Sequence, residues 1–199
     1  MSETTKVKTG EVRLSYAHIF EPHSFDESQP KKYSVSLLIP KEDEATLETL
    51  RKAYRDALQA GKDKFGAGFA KAERTAPFVR PAGGNYGLLR DGDLEDDPNA
   101  KGCYVMPLKT NTAPGILSFE TGSKKLDKSN GGPDVVYSGC YAKVTLNVYP
   151  FNKPVAGISA GLNNILKTRD GERFGGAASA FADFADELAE IEKNLDDLI

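Results

Sequence analysis

Apolar and polar residues alternate along much of this chain, and the clearest alternation runs from Gly139 to Phe151. Its even positions, from Cys140 to Val148, are small or branched apolar groups, whereas its odd positions carry aromatic rings, a lysine and hydrogen-bonding groups. Because successive strand side chains point to opposite faces, one face can enter a core while the other meets solvent. An open face of aromatic planes and a cation is typical of a sheet on which nucleic-acid bases stack. A half-buried barrel strand whose tyrosines cover a loop would show the same pattern.

The same period of two predicts strands elsewhere. In the stretch 11–20 it places Arg13 on the outer face, opposite an apolar face formed by Val12, Leu14, Tyr16, His18 and Phe20. In the stretch 32–39 it places Lys32 on the outer face, opposite Tyr33, Val35, Leu37 and Ile39. Further strands are predicted over residues 103–108, 116–119, 135–151 and 155–166.

Helical periodicity appears twice. After Pro40, the residues Leu47, Leu50, Tyr54 and Leu58 fall on one stripe, and Gly61 is the predicted stop. A second amphipathic helix is predicted over residues 177–195. Four or five strands with one or two helices and no βαβ alternation indicate a mainly β (α+β) fold, either a small barrel or a sandwich.

No period survives between residues 65 and 102, where glycine, proline and charged residues dominate. A long irregular segment within a compact domain is usually functional or mobile. Arg80 and Arg90 lie in this segment among aromatic residues, and such a mixture of basic and aromatic side chains is suited to binding a flexible polyanion.

Charge divides the chain unevenly. The net charge is −3, but residues 183–199 hold seven acidic residues and one lysine, a local charge of −6 that leaves +3 for residues 1–182. We therefore expect a domain over 1–182 and an acidic C-terminal tail over 183–199. Such a tail can lie on a basic groove of its own protein or recruit other proteins, although an ordinary solvated helix end has the same composition. With no apolar run long enough for a membrane span or a signal peptide, a cytoplasmic location is expected.

Catalytic and metal-binding motifs are not evident. The two histidines, His18 and His23, have no cysteine or acidic residue at metal-ligand spacing, and the acidic run 91–99 has Asp96 where a calcium loop requires glycine. Phosphate-binding, dinucleotide-binding and nucleophile-elbow motifs are missing. We expect neither an enzyme nor a cofactor, and a magnesium nuclease using Asp91, Asp93 and Asp96 ranks third among the functions considered.

Several segments together resemble a family of tailed-phage single-stranded-DNA-binding proteins that was long carried as a domain of unknown function. They are VRLSYAHIFEP, KYSVSLLIPKED, LLRDGDLEDD, and VYSGCYAKVTLNVYPFN followed by GISAGLNNILKTRDGERFGG. The resemblance covers most of residues 7–182. It implies an OB-fold-like five-stranded barrel with long loops that coats single strands in phage replication or recombination, and an acidic tail that meets replication or recombination proteins. The chain ends in Leu198 and Ile199, whereas many such tails end in an aromatic residue.

The predicted interface follows from the residues, since the resemblance assigns no DNA contacts. Predicted stacking platforms are Tyr141, Tyr149 and Phe151, and predicted phosphate contacts are Lys143, Arg13, Lys32, Arg80 and Arg90. The predicted ligand is single-stranded DNA, bound without sequence preference. A protein-interaction module of phage assembly or regulation, without DNA binding, would explain the acidic tail equally well, and a body charge of +3 is modest for a DNA binder. The sequence leaves homo-oligomerisation open.

Overall fold

A computed structural model describes residues 5–24 and 27–175 of the chain. Its β-strands are β1 Thr5–Lys8, β2 Val12–His23, β3 Lys32–Pro40, β4 Arg90–Asp91, β5 Cys103–Thr110, β6 Gly115–Ser118, β7 Tyr141–Phe151 and β8 Gly157–Arg169. Its α-helices are α1 Glu44–Phe65, α2 Ala72–Thr75 and α3 Gly132–Val135. Short 3-10 turns cover Ala67–Lys71, Gly92–Leu94, Pro98–Ala100 and Lys128–Asn130.

Five strands close into a ring in the order β7–β2–β3–β5–β8 and back to β7. All neighbours in the ring are antiparallel except β5 and β8, which meet in parallel at one pair, Lys109 and Gly161. The remaining strands extend the ring: β1 continues along β7, β6 pairs with β8, and β4 pairs with β5. The prediction of a mainly β, five-stranded barrel is confirmed.

Strand β7 has the two faces that its alternation predicted. The even side chains from Ala142 to Val148 are buried, and Leu146 has no exposed surface. The odd side chains from Tyr141 to Tyr149 are partly or fully exposed. The strand begins at Tyr141 rather than Val135, because Gly132–Val135 forms the single-turn helix α3.

Strand β2 departs from its predicted faces halfway along. Tyr16 has a positive φ of 47°, and the pairing with β3 shifts register between Ser15 and His18. Such a bulge inserts one residue and reverses the faces beyond it. Ile19 therefore enters the core, while Tyr16, which alternation placed in the core, is 58% exposed. The predicted apolar face is correct for Val12 and Leu14 and wrong for Tyr16, whereas Phe20 is partly buried and packs against the core.

Helix α1 packs its apolar stripe against β1 and β7. The Asp43 carboxylate caps it by accepting from the Thr46 amide at 3.1 Å, and the Thr46 hydroxyl accepts from the Gly10 amide at 2.8 Å. The helix does not stop at Gly61 but continues to Phe65. Gly61 serves close packing instead, since a Cβ there would lie 2.0 Å from Cε1 of Phe69.

The segment 65–102, predicted to be irregular and to bind a polyanion, contributes to the hydrophobic core. Phe69 is buried, and Phe78 packs edge-on against Tyr54 with ring centroids 5.6 Å apart. The segment includes α2, β4 and three of the 3-10 turns. Its aromatic residues at these two positions are therefore not available to bases.

Three other observations complete the fold. The predicted helix 177–195 and the acidic tail 183–199 lie outside the described residues. Cys103 and Cys140 are free thiols; Cys140 is buried and Cys103 is partly buried. Among the helices that the structure describes, none is long and apolar enough to cross a membrane.

Candidate nucleic-acid interface

A groove of about 630 Å³ runs over the outer faces of β3 and β5. The antiparallel register pairs Ser34 with Lys109, Ser36 with Pro107 and Leu38 with Val105. Small side chains in the middle of this floor leave room above it. We call it the β3–β5 groove.

Strand β2 forms one wall of the β3–β5 groove. Ser15 pairs with Ser36 and His18 with Ser34, and the bulge between them turns the Tyr16 side chain to the rim. A positive φ is costly for a residue with a bulky side chain, so the surrounding structure must hold Tyr16 in this conformation. The amide of the next residue, Ala17, donates to the hydroxyl of Ser138 at 2.9 Å. The result is an exposed aromatic ring beside the groove.

One end of the β3–β5 groove is basic. Lys32 and Lys109 border an adjoining hollow of about 330 Å³ together with His23. The rings of His18 and His23 stack with centroids 4.3 Å apart. Burial, followed by the neighbouring His23, lowers the pKa of His18. Two lysines at this end offer positive charge to a polyanion.

The other end of the β3–β5 groove is acidic, with Glu95, Asp96 and Asp97 along it. Glu95 accepts from Arg80 at 2.9 Å and from Arg90 at 3.1 Å. Arg80 and Arg90, which were predicted to contact phosphates, therefore share the carboxylate of Glu95, and this pairing makes them less available to DNA phosphates. A phosphate backbone is favoured at the Lys32 end and disfavoured at the Asp96 end, which gives the groove a polarity.

Tyr149 lies at the point where the barrel closes. Its ring covers Gly161, because a Cβ added to Gly161 would lie 3.6 Å from Cε1 of Tyr149 and 3.8 Å from the carbonyl oxygen of Lys109. Gly161 pairs with Lys109 of β5, and Tyr149 is 39% exposed. A continuous outer surface therefore leads from Ser34 over Lys109 and Gly161 to Tyr149.

Tyr141 and Arg13 lie elsewhere, where β7 begins. The guanidinium carbon of Arg169 is 3.4 Å from the ring centroid of Tyr141, and that of Arg13 is 5.4 Å from it. Arg13 also donates to the carbonyls of Gly139 at 2.8 Å and Glu172 at 2.9 Å, and stacks on Phe174 at 4.2 Å. These contacts hold the chain after β8 against the barrel, so both predicted DNA-contacting residues already have structural partners.

The two remaining predicted residues on β7 also lie apart from the β3–β5 groove. Phe151 is half-buried, and a Cβ on Gly157 would lie 2.5 Å from its Cζ. Lys143 is exposed and borders a different pocket, between β1, β6, β7 and β8. Of the eight residues predicted for DNA, the structure brings Lys32 and Tyr149 to one surface, while Arg90 lines the acidic end and Arg80 joins it through Glu95.

The sequence prediction missed Tyr16 and Lys109. Tyr16 was assigned to the core because alternation cannot show a bulge. Lys109 was missed because the predicted strand stopped at Leu108; one more residue of the same alternation, beyond inward Met106 and Leu108, would have placed it outward.

Two of the three carboxylates considered for magnesium, those of Asp91 and Asp93, are engaged in ion pairs. Lys41 donates to Asp91 at 2.5 Å and to Asp93 at 2.6 Å. These bonds raise the pKa of Lys41, and the bond from Lys41 lowers the pKa of Asp91. The amide of Gly102, followed by Lys41, lowers the pKa of Asp93. Across residues 5–24 and 27–175, no three His, Cys, Asp or Glu side chains are grouped to hold a metal ion.

The fold and the groove together define an oligonucleotide-binding class of barrel. OB-fold domains bind oligonucleotides and oligosaccharides on the face of their second and third strands and on the loops that flank it. Here β3 and β5 occupy those two positions in the ring, and the β3–β5 groove lies on their outer face.

Residues 5–197 match the family of the Enterobacter phage Enc34 ssDNA-binding protein, and the chain belongs to this family. It is 27% identical to protein p50 of Acyrthosiphon pisum secondary endosymbiont phage 1, over 94% of this chain and 96% of that protein. The structure is similar to that of the bacteriophage Enc34 single-stranded DNA-binding protein in complex with ssDNA. The TM-score is 0.69 and the identity 26%, over 87% of this chain and 91% of that one.

A more distant likeness, to the single-stranded DNA-binding protein gp2.5 encoded by bacteriophage T7, concerns the fold alone. The TM-score is 0.52 and the identity 16%, over 89% of this chain and 93% of that one.

Proposed function

We propose that this protein binds and protects single-stranded DNA, without sequence preference, during phage DNA replication or recombination. The observation that carries the proposal is the continuous surface from the β3–β5 groove to Tyr149, found on the barrel of a family named for single-stranded DNA binding. Lys32 and Lys109 supply positive charge to it, and Tyr16 and Tyr149 supply exposed aromatic faces.

The chemistry of this surface favours single strands. Every base has a π-face, so stacking on tyrosine tolerates any sequence, whereas a duplex hides that face. Serine hydroxyls and a proline between the aromatic residues leave space for bases. The acidic end at Asp96 repels phosphates, so the backbone follows the Lys32 and Lys109 side.

A fluorescence-anisotropy titration tests the proposal. A labelled oligothymidine and a labelled duplex of equal length are each titrated with the full-length protein at low and at physiological salt. We expect tighter binding to the single strand and little difference between oligothymidine and a mixed-sequence strand. Equal or tighter binding to the duplex would contradict the proposal, and no binding at low salt would favour a protein-interaction module instead.

The acidic tail, in this proposal, recruits replication or recombination proteins, and the role is non-catalytic and carried out in the host-cell cytoplasm. Support for the tail's role comes from composition, since residues 183–199 carry a charge of −6 beside apolar residues. A pull-down with the full-length protein and with a variant carrying Asp196→Asn and Asp197→Asn tests it. Equal recovery of replication proteins by both would contradict recruitment through the tail.

A further inference from the structure

Tyr16, one of the two exposed aromatic residues on the proposed DNA surface, is held by a residue that lies outside that surface. The bulge in β2 places Tyr16 and Ala17 together opposite a single residue of β3, Val35. The extra residue of a bulge is left without a partner in the strand ladder. The amide of Ala17 donates to the side-chain hydroxyl of Ser138 at 2.9 Å. A hydroxyl from the segment before β7 therefore satisfies the backbone of the bulge.

This hydrogen bond acts directly on the unusual backbone conformation of Tyr16. Its φ of 47° costs free energy for a residue with a bulky side chain, and such a conformation persists only where the surrounding structure enforces it. The Ala17 amide belongs to the planar peptide group that follows Tyr16. A bond to that amide fixes the orientation of the peptide group and, with it, the ψ angle of Tyr16. The Ser138 hydroxyl is therefore placed to hold the Tyr16 ring at the rim of the β3–β5 groove.

The backbone that carries Ser138 is itself held on both sides. The Ser138 carbonyl accepts from the Phe174 amide at 2.9 Å, and the amide of the next residue, Gly139, donates to the Leu14 carbonyl at 2.7 Å. Gly139 has a φ of 111°, and a Cβ there would lie 1.9 Å from the carbonyl oxygen of Glu172. Only glycine fits such a conformation and such a close approach. The acceptor for the bulge is therefore anchored to β2 and to the chain after β8.

Ser138 lies apart from the surface on which it would act. It is half-buried, and it is not among the residues that line the β3–β5 groove. Its hydroxyl accepts from the backbone of β2, whereas Tyr16 is 58% exposed and lines the groove. An effect of Ser138 on DNA binding would therefore be carried by Tyr16.

We propose that Ser138 is a positioning residue for DNA binding, whose hydroxyl holds the peptide group after Tyr16 so that the Tyr16 ring stands at the groove rim before a base stacks on it. This inference rests on the proposed function and adds to it the residue that prepares one of the two stacking faces. A ligand that binds one conformation of a protein binds more weakly in proportion as that conformation is less populated. Loss of the Ser138 hydroxyl lowers the population of the conformation with Tyr16 at the rim, and the affinity for DNA falls with it.

A double-mutant cycle in the full-length protein tests this proposal. Fluorescence anisotropy gives the dissociation constant for labelled oligothymidine in the unmodified protein, in Ser138→Ala, in Tyr16→Ala and in the variant with both substitutions. We expect Ser138→Ala to weaken binding roughly three- to tenfold when Tyr16 is present, the effect of losing one neutral hydrogen bond from the binding conformation. In the Tyr16→Ala background the same substitution should leave the affinity unchanged, because no ring remains to be positioned.

Thr9→Ala is the matched control. The Thr9 hydroxyl also accepts from a backbone amide, that of Val144 at 3.0 Å, but Thr9 is buried and lies outside the groove lining. We expect Thr9→Ala to lower the melting temperature, followed by circular dichroism, and to leave the affinity for oligothymidine unchanged. The control therefore separates the positioning of Tyr16 from a general loss of stability.

Hydrogen exchange in the unmodified protein gives a second measurement that needs no variant. DNA that binds only with Tyr16 at the rim also stabilises, by linkage, the hydrogen bond that holds Tyr16 there. We expect exchange of the Ala17 amide to slow when oligothymidine is added, and to slow more than exchange of the Val144 amide.

Four results would overturn the proposal: unchanged affinity in Ser138→Ala, an equal loss from Ser138→Ala with and without Tyr16, a similar loss in Thr9→Ala, or exchange at the Ala17 amide that DNA does not slow. If Ser138→Ala does not fold, the exchange measurement decides. Each of these results leaves the proposed function intact as long as the unmodified protein binds oligothymidine. Absence of binding by the unmodified protein would contradict both proposals.

Discussion

Tyr16 shows how one backbone angle creates a binding group. With ordinary strand geometry its ring would lie in the core, whereas its positive φ brings it to the rim of the β3–β5 groove. We expect Tyr16→Ala and Tyr149→Ala each to weaken binding to oligothymidine by about 1–3 kcal/mol, since each removes a stacking face. Phe119→Ala, which removes a 62% exposed ring outside the groove lining, is the control. Unchanged affinity for both tyrosine variants in anisotropy titrations would contradict the proposed interface.

Leu146 tests the assignment of faces on β7. It has no exposed surface, so Leu146→Ala should lower the free energy of unfolding by about 2–5 kcal/mol. Lys143→Ala, three residues earlier and pointing outward, should change it little. Urea unfolding followed by circular dichroism measures both, and similar losses would mean that the faces are wrongly assigned.

His18 makes stability depend on pH. Its pKa is lowered in the folded protein by burial and by the neighbouring His23, so the unfolded chain, whose histidine has an ordinary pKa of about 6.5, binds a proton more readily. Its contribution is therefore present above that value and is lost as pH falls. The neighbouring basic side chains are His23, stacked on it, and Lys32 and Lys109 at the same end of the groove. Urea unfolding at several pH values gives the free energy of unfolding, which should decline less between about pH 7 and pH 5 in His18→Gln than in the unmodified protein. An equal decline in both proteins would exclude His18 as the cause of the pH dependence.

At the scale of elements, α1 contains a glycine that favours packing over helix propensity. Alanine is ordinarily about 1 kcal/mol better than glycine within a helix. Gly61→Ala should nevertheless destabilise the protein by roughly 1–3 kcal/mol, because its Cβ would lie 2.0 Å from the buried Phe69 ring. Gly68→Ala, with open space around its Cβ, should be neutral or stabilising. Thermal unfolding compares the two, and stabilisation by Gly61→Ala would show that Phe69 moves aside easily.

Period and order along the chain were enough to predict the elements of the barrel and the two faces of β7. What they could not show were side-chain contacts that form only in the folded chain, and local irregularities of a strand. Gly61 resembled a helix stop because Phe69, which requires it, packs through tertiary contact. Arg80 and Arg90 resembled free cations because their common partner, Glu95, meets them only in the fold. Tyr16 was misplaced because a single inserted residue reverses the faces of a strand.

For the whole molecule, affinity for DNA should depend on salt in proportion to the phosphates neutralised. We expect the logarithm of the association constant to fall by roughly 0.7 per logarithmic unit of salt for each of them. Lys32→Ala and Lys109→Ala should each reduce that slope by about 0.7 if each contacts one phosphate. Lys52→Ala, on the exposed face of α1, should leave the slope unchanged. Anisotropy titrations at four or more salt concentrations give the slopes, and a flat response in the unmodified protein would remove the lysines from the interface.

The ring is joined between β5 and β8 by one residue pair, Lys109 and Gly161, and Tyr149 covers that junction. Because a single residue pair holds β5 to β8, local opening of the barrel costs the least free energy at this junction. A DNA strand lying from Lys109 to Tyr149 would contact both sides of the β5–β8 junction, and it would bind only when that junction is closed. Bound DNA would therefore stabilise the closed junction between β5 and β8. Hydrogen exchange at the Gly161 amide would slow on DNA binding more than exchange in the rest of the sheet, so that the protein coating the DNA would itself be stabilised where its barrel is weakest.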